Sequence, residues 1–365
     1  MDIGELAPQH IRGISPYQPG KPISELAREM NLEEASIIKL ASNENPLGVS
    51  PRAQAAIRAV LTDLARYPDG NGFELKHALE RRYGVPVESI VLGNGSNDVL
   101  DLAARVFLTA GCEAVYSQHA FAVYPLAVQA SGARGVEVPA RHFAHDLDAM
   151  AAAVTQNTRL VFIANPNNPT GTLAPAPALE RFIAALPAHV LVVLDEAYNE
   201  YLPEAVRVDT LAWLRRFANL IITRTFSKVY GLAGLRVGYA FACPAVADLL
   251  NRVREPFNVN SVALAAAAAA LDDVEFVRKS YEVNRRGMAQ ITEGLTALGL
   301  EFIPSYGNFV SFKTRAAAQV FQRLLASGVI VRPIAGYGMP DYLRVTIGLE
   351  SENARFLESL KEAIA

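Results

Sequence analysis

Cysteine is nearly absent: Cys112 and Cys243 are the only two in 365 residues, too few and too far apart for a disulfide framework. A reducing compartment fits that usage. The six histidines, His10, His77, His119, His142, His145 and His189, show no metal spacing among themselves or with the cysteines, so no metal site is expected. Neither sign of charge dominates, with 34 Lys and Arg against 37 Asp and Glu and a net charge of -3. Without a block of like charge there is no footprint for nucleic acid or an anionic membrane. Long apolar runs are missing too. The most apolar stretch, 261–271, falls far short of the roughly 20 residues that span a bilayer and reads as a packed helix. The first residues carry Asp2, Glu5, Pro8 and His10 rather than a basic region before an apolar one, so no signal peptide is read and a cytoplasmic protein is expected.

Apolar residues make up 51% of the chain and charged residues 19%, enough burial to offset conformational entropy. At roughly 100 to 200 residues per domain, two domains are expected. Between 89 and 242, short β-branched runs alternate with Ala- and Leu-rich stretches, the pattern of β-α units around a mostly parallel sheet. Seven such runs predict one large seven-stranded sheet. After it come a long charged helix over 272–298, a strand over 308–312, a helix over 316–326 and a strand over 343–346, which predict a smaller α+β domain. The segment holding Pro16, Pro19, Gly20 and Pro22 is too broken for a sheet core. The expected divisions are 1–50, an N-terminal segment belonging to the small domain and a dimer junction, 51–258, the large domain, and 259–365, the small domain.

Ligands of an open α/β sheet sit beyond the carboxyl ends of its strands. After the run 90–92 comes Gly93-Asn94-Gly95-Ser96-Asn97-Asp98 and then a helical stretch. That is either a phosphate cradle, with free N–H groups at a helix start, or an ordinary capped connector. After 160–163 comes Asn165-Pro166-Asn167-Asn168-Pro169-Thr170, a rigid turn presenting an Asn amide, or only a β-α turn. Asp195 and Tyr198 follow 190–194, as an acid and a phenol for a site or as a capping pair. Thr225, Ser227 and Lys228 follow 220–222, with Arg236 beyond; a lysine in a Gly- and hydroxyl-rich turn suits covalent attachment to a carbonyl, while a solvated lysine is the plain alternative.

One cofactor unites the four clusters. Pyridoxal 5'-phosphate needs an amine for its aldehyde, a carboxylate for its ring nitrogen, hydrogen bonds for its phenolate oxygen and a phosphate cup. The order Gly95-Ser96-Asn97, Asn168, Asp195 with Tyr198, then Thr225, Ser227, Lys228 and Arg236 resembles the fold-type-I aminotransferases of the class I/II superfamily. That resemblance implies an α/β pyridoxal-phosphate transferase fold and a transaminase. It implies that Lys228 binds the aldehyde and moves the Cα proton, that Asp195 keeps the ring nitrogen protonated, and that Asn168 and Tyr198 hold the phenolate oxygen. Gly95, Ser96, Asn97, Thr225, Ser227 and Arg236 would bind the phosphate. Phe121 matches the aromatic residue stacked on the ring, where some relatives carry a tyrosine.

Residues 14–21 (ISPYQPGK) and 38–48 (IKLASNENPLG) look like the histidinol-phosphate aminotransferase branch, and the similarity runs from about 12 to about 350. It includes Arg66-Tyr67-Pro68-Asp69, Val331-Arg332 and 343–348 (LRVTIG). The resemblance implies a homodimer in which Tyr67 reaches the phosphate of the neighbouring site. It also implies that Arg344, Arg332 and Tyr17 contact substrate, with Asn43 and Asn45 near the mouth. The implied reaction moves an amino group between L-histidinol phosphate and 2-oxoglutarate, giving imidazole acetol phosphate and L-glutamate in histidine biosynthesis. An aromatic amino-acid aminotransferase is the nearest alternative reading, followed by a decarboxylase on the same scaffold and a non-catalytic binding protein.

Overall fold

The computed structural model describes residues 2–365. Its large sheet has seven strands, β1 (Ile90–Gly93), β2 (Glu113–Ser117), β3 (Arg134–Val138), β4 (Thr158–Ala164), β5 (Leu191–Asp195), β6 (Leu220–Thr225) and β7 (Gly238–Ala242), in the order β1-β7-β6-β5-β4-β2-β3. All neighbours are parallel except β7, which runs antiparallel to both β1 and β6. Each of the seven apolar runs forms one of these strands, with ends shifted by at most three residues. The runs are continuous rather than alternating because both faces are covered. Leu160 and Phe162 of β4 point into one buried layer, while Val161 and Ile163 point into the other.

The polar turns after the strands follow from this geometry. Strand β1 leads through Gly95, at φ 79, into the helix Ser96–Phe107, which buries Val99, Leu100, Leu102, Ala103 and Ala104 against the sheet. Asp98 stands in its first turn, and its Oδ2 accepts from Asn94 N at 2.8 Å and from Asn258 Nδ2 at 2.7 Å. The helix start is thereby fixed with its leading N–H groups directed at the carboxyl edge of the sheet.

A second sheet of four antiparallel strands, β8 (Phe302–Ile303), β9 (Phe309–Lys313), β10 (Arg332–Pro333) and β11 (Tyr342–Thr346), has the order β10-β11-β9-β8. The helices Val274–Ala297, Ala317–Ala326 and Glu350–Ile364 supply residues to its own core, around Leu324, Val310, Phe312, Leu343, Val345, Phe356 and Leu360. The N-terminal segment joins this unit: Ile38–Lys39 pairs in parallel with Val329–Ile330, and Leu26, Ile37 and Ala41 pack with Leu325 and Ile330.

The boundary expected at 258/259 is displaced. Val259 and the helix Ser261–Leu271 send Ala263, Ala266, Ala267, Ala270 and Leu271 into the large-sheet core, against the helices Pro51–Val60 and Phe73–Tyr83. Alanine side chains let three helices approach closely, and a composition of that kind does not say which unit the helix joins. The smaller unit resumes with Val274–Ala297. Among the described residues, no helix is long and apolar enough to cross a membrane, and no cluster of three His, Cys, Asp or Glu could hold a metal ion.

Candidate active site

Strands β4, β5 and β6 lie side by side, with Ala164 level with Asp195 and β6 running two residues past that level, so Ala164, Asp195 and Thr225 come to one edge of the sheet, facing the small unit. A cavity opens there. Its wall holds Ser96, Asn97, Phe121, Asn168, Asp195, Tyr198, Thr225, Ser227, Lys228 and Arg236 from the large unit, and Tyr17, Asn43, Arg332 and Arg344 from the other side. Of the residues expected at or near the site, Gly95, Tyr67 and Asn45 are not on this wall.

Asp195 is buried at the floor. Its Oδ2 accepts from the Tyr124 hydroxyl at 2.9 Å, and its Oδ1 accepts from Ala197 N at 3.2 Å. Burial raises its carboxyl above the ordinary carboxylate range against the pull of these hydrogen bonds. No cation of this chain is among the main influences on it, so a positively charged partner in the cavity is what would keep it ionised. Tyr124 is wholly buried, stacked on Phe162 with ring centroids 4.9 Å apart, and set edge-on to Phe121. Burial raises its hydroxyl well above the usual phenol range, which keeps it a donor to Asp195.

Lys228 follows β6 and reaches across the cavity, where Nζ donates to the Ser42 carbonyl at 3.1 Å. Burial, aided by the nearby cations Arg344 and Arg236, lowers its amine to about 8. A free neutral amine is therefore well populated near neutral to mildly alkaline pH, as nucleophilic attack on a carbonyl requires.

The turn around Gly95 and Arg236 is built by close approach. Arg236 adopts the left-handed region at φ 57, and a Cβ on Gly95 would lie 2.5 Å from Arg236 Nη2. Gly238 is equally confined, since a Cβ there would meet Ser96 N at 2.3 Å. Glycine at 95 thus lets the guanidinium lie over the start of the helix Ser96–Phe107, where Ser96, Asn97, Thr225 and Ser227 also face the cavity. A guanidinium, aligned N–H groups and hydroxyls form an anion site.

On the opposite wall Arg344, only 5% exposed, donates through Nη1 to Asn168 Oδ1 and through Nη2 to the Ala41 carbonyl at 2.8 Å. Its Nε has no protein partner. Arg332 packs its guanidinium on the Tyr17 ring at 5.4 Å and donates through Nη2 to the Gln18 carbonyl. Both guanidiniums line the cavity, and a planar fork of donors has the chemistry to take an oxyanion. Asn43 faces the cavity, but its amide is engaged with Tyr198 and Thr346. Asn45 is turned to the backbone, donating to the Val229 carbonyl at 2.7 Å and to Ser280 Oγ at 2.8 Å.

The profile of the family described as aminotransferase class I and II matches residues 35–360. The chain is 64% identical over 360 residues to the histidinol-phosphate aminotransferase of Methylobacillus flagellatus, covering 99% of this chain and 98% of that one. It is 60% identical to histidinol-phosphate aminotransferase 2 of Pseudomonas aeruginosa, covering 100% and 99%. The chain belongs to the class I and II aminotransferases, in their histidinol-phosphate aminotransferase branch. Its fold is similar to the crystal structure of histidinol-phosphate aminotransferase from Sinorhizobium meliloti in complex with pyridoxal-5'-phosphate, with a TM-score of 0.88 at 30% identity, covering 98% of this chain and 96% of that one. Aspartate aminotransferase from Thermus thermophilus with maleate shares the fold at 23% identity and a TM-score of 0.82, covering 98% and 99%.

Sequence reasoning on this aminotransferase passed over three groups at the cavity, Ser42 and Tyr337 on its wall and Tyr124 beneath its floor. Tyr124 stands three residues beyond Phe121, close to one helical turn on, and that spacing was the available signal. Ser42 contributes a backbone carbonyl, which no side-chain motif reveals. Tyr337 comes from a turn between β10 and β11, and nothing in its local sequence marks it.

Proposed function

We propose that this transaminase moves the amino group between L-histidinol phosphate and 2-oxoglutarate, giving imidazole acetol phosphate and L-glutamate in L-histidine biosynthesis, with pyridoxal 5'-phosphate as its cofactor. The observation that carries the reading is the convergence of Lys228, Asp195 and the partly unpartnered guanidinium of Arg344 on one cavity. The buried carboxylate that calls for a cationic partner, the crowded Arg236 cradle and the lowered Lys228 amine all suit that cofactor. When bound, it supplies an aldehyde for amine exchange and an electron-withdrawing ring that stabilises the charge left when the substrate loses its Cα proton.

The protein's own residues do the rest. Lys228 Nζ would hold the cofactor through its aldehyde, and the same amine, placed in the cavity, would move the Cα proton. Asp195, held by Tyr124 and Ala197 N, would supply the negative charge that pairs with the protonated ring nitrogen. Arg236 and the start of the helix Ser96–Phe107 hold the phosphate, with Ser96, Asn97, Thr225 and Ser227. Phe121 would pack against the ring, while Asn168 and Tyr198 would hold the phenolate oxygen. Arg344 and Arg332 bind the substrate's oxyanion, a carboxylate in glutamate and a phosphate in histidinol phosphate, and a planar guanidinium accepts either. Tyr17 closes over Arg332.

The same proposal makes the working unit a homodimer. Tyr67 is 83% exposed, stacked on Phe257 at 4.8 Å, and outside its own cavity, which supports its reaching a neighbouring site. The experiment is a single turnover: cofactor-loaded protein is mixed with L-histidinol phosphate, and separately with L-phenylalanine, without keto acid, while the cofactor absorbance is followed. Rapid bleaching by histidinol phosphate, reversed by 2-oxoglutarate, is the expected result. Equal rates with phenylalanine would replace the substrate assignment by a broad aromatic one.

A further inference from the structure

Asn43 lies in the left-handed region at φ 56, is 1% exposed, and has its backbone N–H and carbonyl and both ends of its amide hydrogen-bonded. Its backbone N–H donates to Thr346 Oγ1 at 2.9 Å. That hydroxyl, having accepted one hydrogen bond, donates to Asn43 Oδ1 at 3.2 Å. With its oxygen so occupied, the Asn43 amide turns Nδ2 toward Tyr198, donating to the phenol oxygen at 2.8 Å. The Asn43 carbonyl accepts from Asn308 Nδ2 at 3.0 Å, which fixes the strap itself.

A phenol whose oxygen accepts from Asn43 must give its own proton elsewhere. Tyr198 packs edge-on against Phe309 on one side and lines the cavity on the other. We propose that Thr346 and Asn43 are positioning residues: the relay from Thr346 through Asn43 to Tyr198 aims the Tyr198 hydroxyl into the cavity as a donor to the cofactor's phenolate oxygen. This rests on the proposed cofactor site. It also gives Asn43 a role distinct from the substrate contact expected of it. Thr346 and Arg344 stand two residues apart on one face of β11, so the substrate grip and the relay share a strand.

Thr346→Val removes the donor to Asn43 Oδ1, which then competes for the Tyr198 proton. A donor to an anionic oxygen favours the more negatively charged form of the group that carries it, so weakening it raises the pH midpoint of the cofactor's absorbance change. The experiment titrates the absorbance of cofactor-loaded wild type, Thr346→Val, Tyr198→Phe and the double variant. Thr346→Val is expected to raise the midpoint by roughly half a pH unit to one unit, about the net worth of one hydrogen bond, and to add nothing in the Tyr198→Phe background. Thr346→Ser should titrate as wild type. An unchanged midpoint in Thr346→Val, or an equal shift in the Tyr198→Phe background, would overturn the relay. If Thr346→Val does not fold, Asn43→Asp with and without Tyr198→Phe decides the same way, because a plain charge effect would persist in both backgrounds. A wild-type protein that takes up no cofactor would instead defeat the proposed function.

Discussion

Tyr124 and Asp195 meet at 2.9 Å, hydroxyl to carboxylate, beneath the cavity floor and out of reach of solvent. Tyr124→Phe keeps the stack on Phe162 and removes only this donor. A carboxylate already raised by burial loses a hydrogen bond to its charged form, so it pairs less well with a protonated ring. A hydrogen bond to a charged group is worth about 1.5–3 kcal/mol, which predicts a cofactor dissociation constant roughly 10- to 100-fold weaker. Equilibrium dialysis of the cofactor checks it, and an unchanged constant refutes it.

Lys228 gives a prediction about stability as well as chemistry. Its amine is about 8 in the folded chain against the ordinary 10.5, so the folded state resists a proton that the unfolded state accepts. The cost of burying the charge is fully present below about pH 8 and fades as the pH rises toward 10.5. Cofactor-free Lys228→Met should therefore melt at a higher temperature than cofactor-free wild type at pH 7, with the gap narrowing by pH 10. The same variant, like Lys228→Ala, should lose transamination entirely, and residual cycling would sink the role given to this lysine.

The sheet and the large unit's wall of the cavity were legible because each part is local. Seven apolar runs ending in polar turns place Asp195, Thr225 and Lys228 at one edge whatever the helices do. Two features were not legible for a physical reason: they are made by distant segments meeting. The alanine-rich helix Ser261–Leu271 carries no mark of which core it joins, and it joins the larger. The hydrogen bonds of Asn43 to Thr346 and Tyr198 bridge separations of 303 and 155 residues, which no spacing rule anticipates.

The buried pair of Glu196 and Arg224 sits directly behind the site. Both Nε and Nη2 of Arg224 donate to Glu196 Oε2, at 2.9 and 2.8 Å, and Thr210 donates to the other carboxylate oxygen at 2.6 Å. Arg224→Met leaves Glu196 buried and uncompensated, at a cost of about 3–5 kcal/mol. The double variant Glu196→Leu with Arg224→Met should recover most of that loss. Denaturant midpoints of the single and double variants provide the comparison, and a single variant as stable as wild type contradicts the argument.

Arg344 donates to Asn168 and to the Ala41 carbonyl while leaving Nε free. Lysine at this position keeps the charge but loses the fork, and it leaves a buried acceptor unmet. We expect Arg344→Lys to lower kcat/KM for glutamate and for histidinol phosphate together by roughly 10- to 100-fold. Arg332→Ala, at the outer rim on Tyr17, should lower histidinol phosphate turnover more than glutamate turnover. Steady-state kinetics on both amines separates the two arginines; parallel losses in Arg332→Ala would deny it a part in phosphate selection.

Tyr67 supplies the test of assembly. It is exposed, rests on Phe257 and stands apart from the cavity of its own chain. If it completes the neighbouring site, a Tyr67→Ala chain keeps a sound Lys228 and lacks only the phenol that a partner would supply. A Lys228→Ala chain is the reverse: it has no working amine but still offers Tyr67 to its neighbour. In a mixed dimer one site then carries both defects and the other carries neither. Two weak or inactive variants, mixed and allowed to exchange subunits, should recover activity approaching one intact site per mixed dimer. If Tyr67 serves only its own chain, every site in the mixture stays defective and no activity returns, so the assay distinguishes the two arrangements without a structure of the pair.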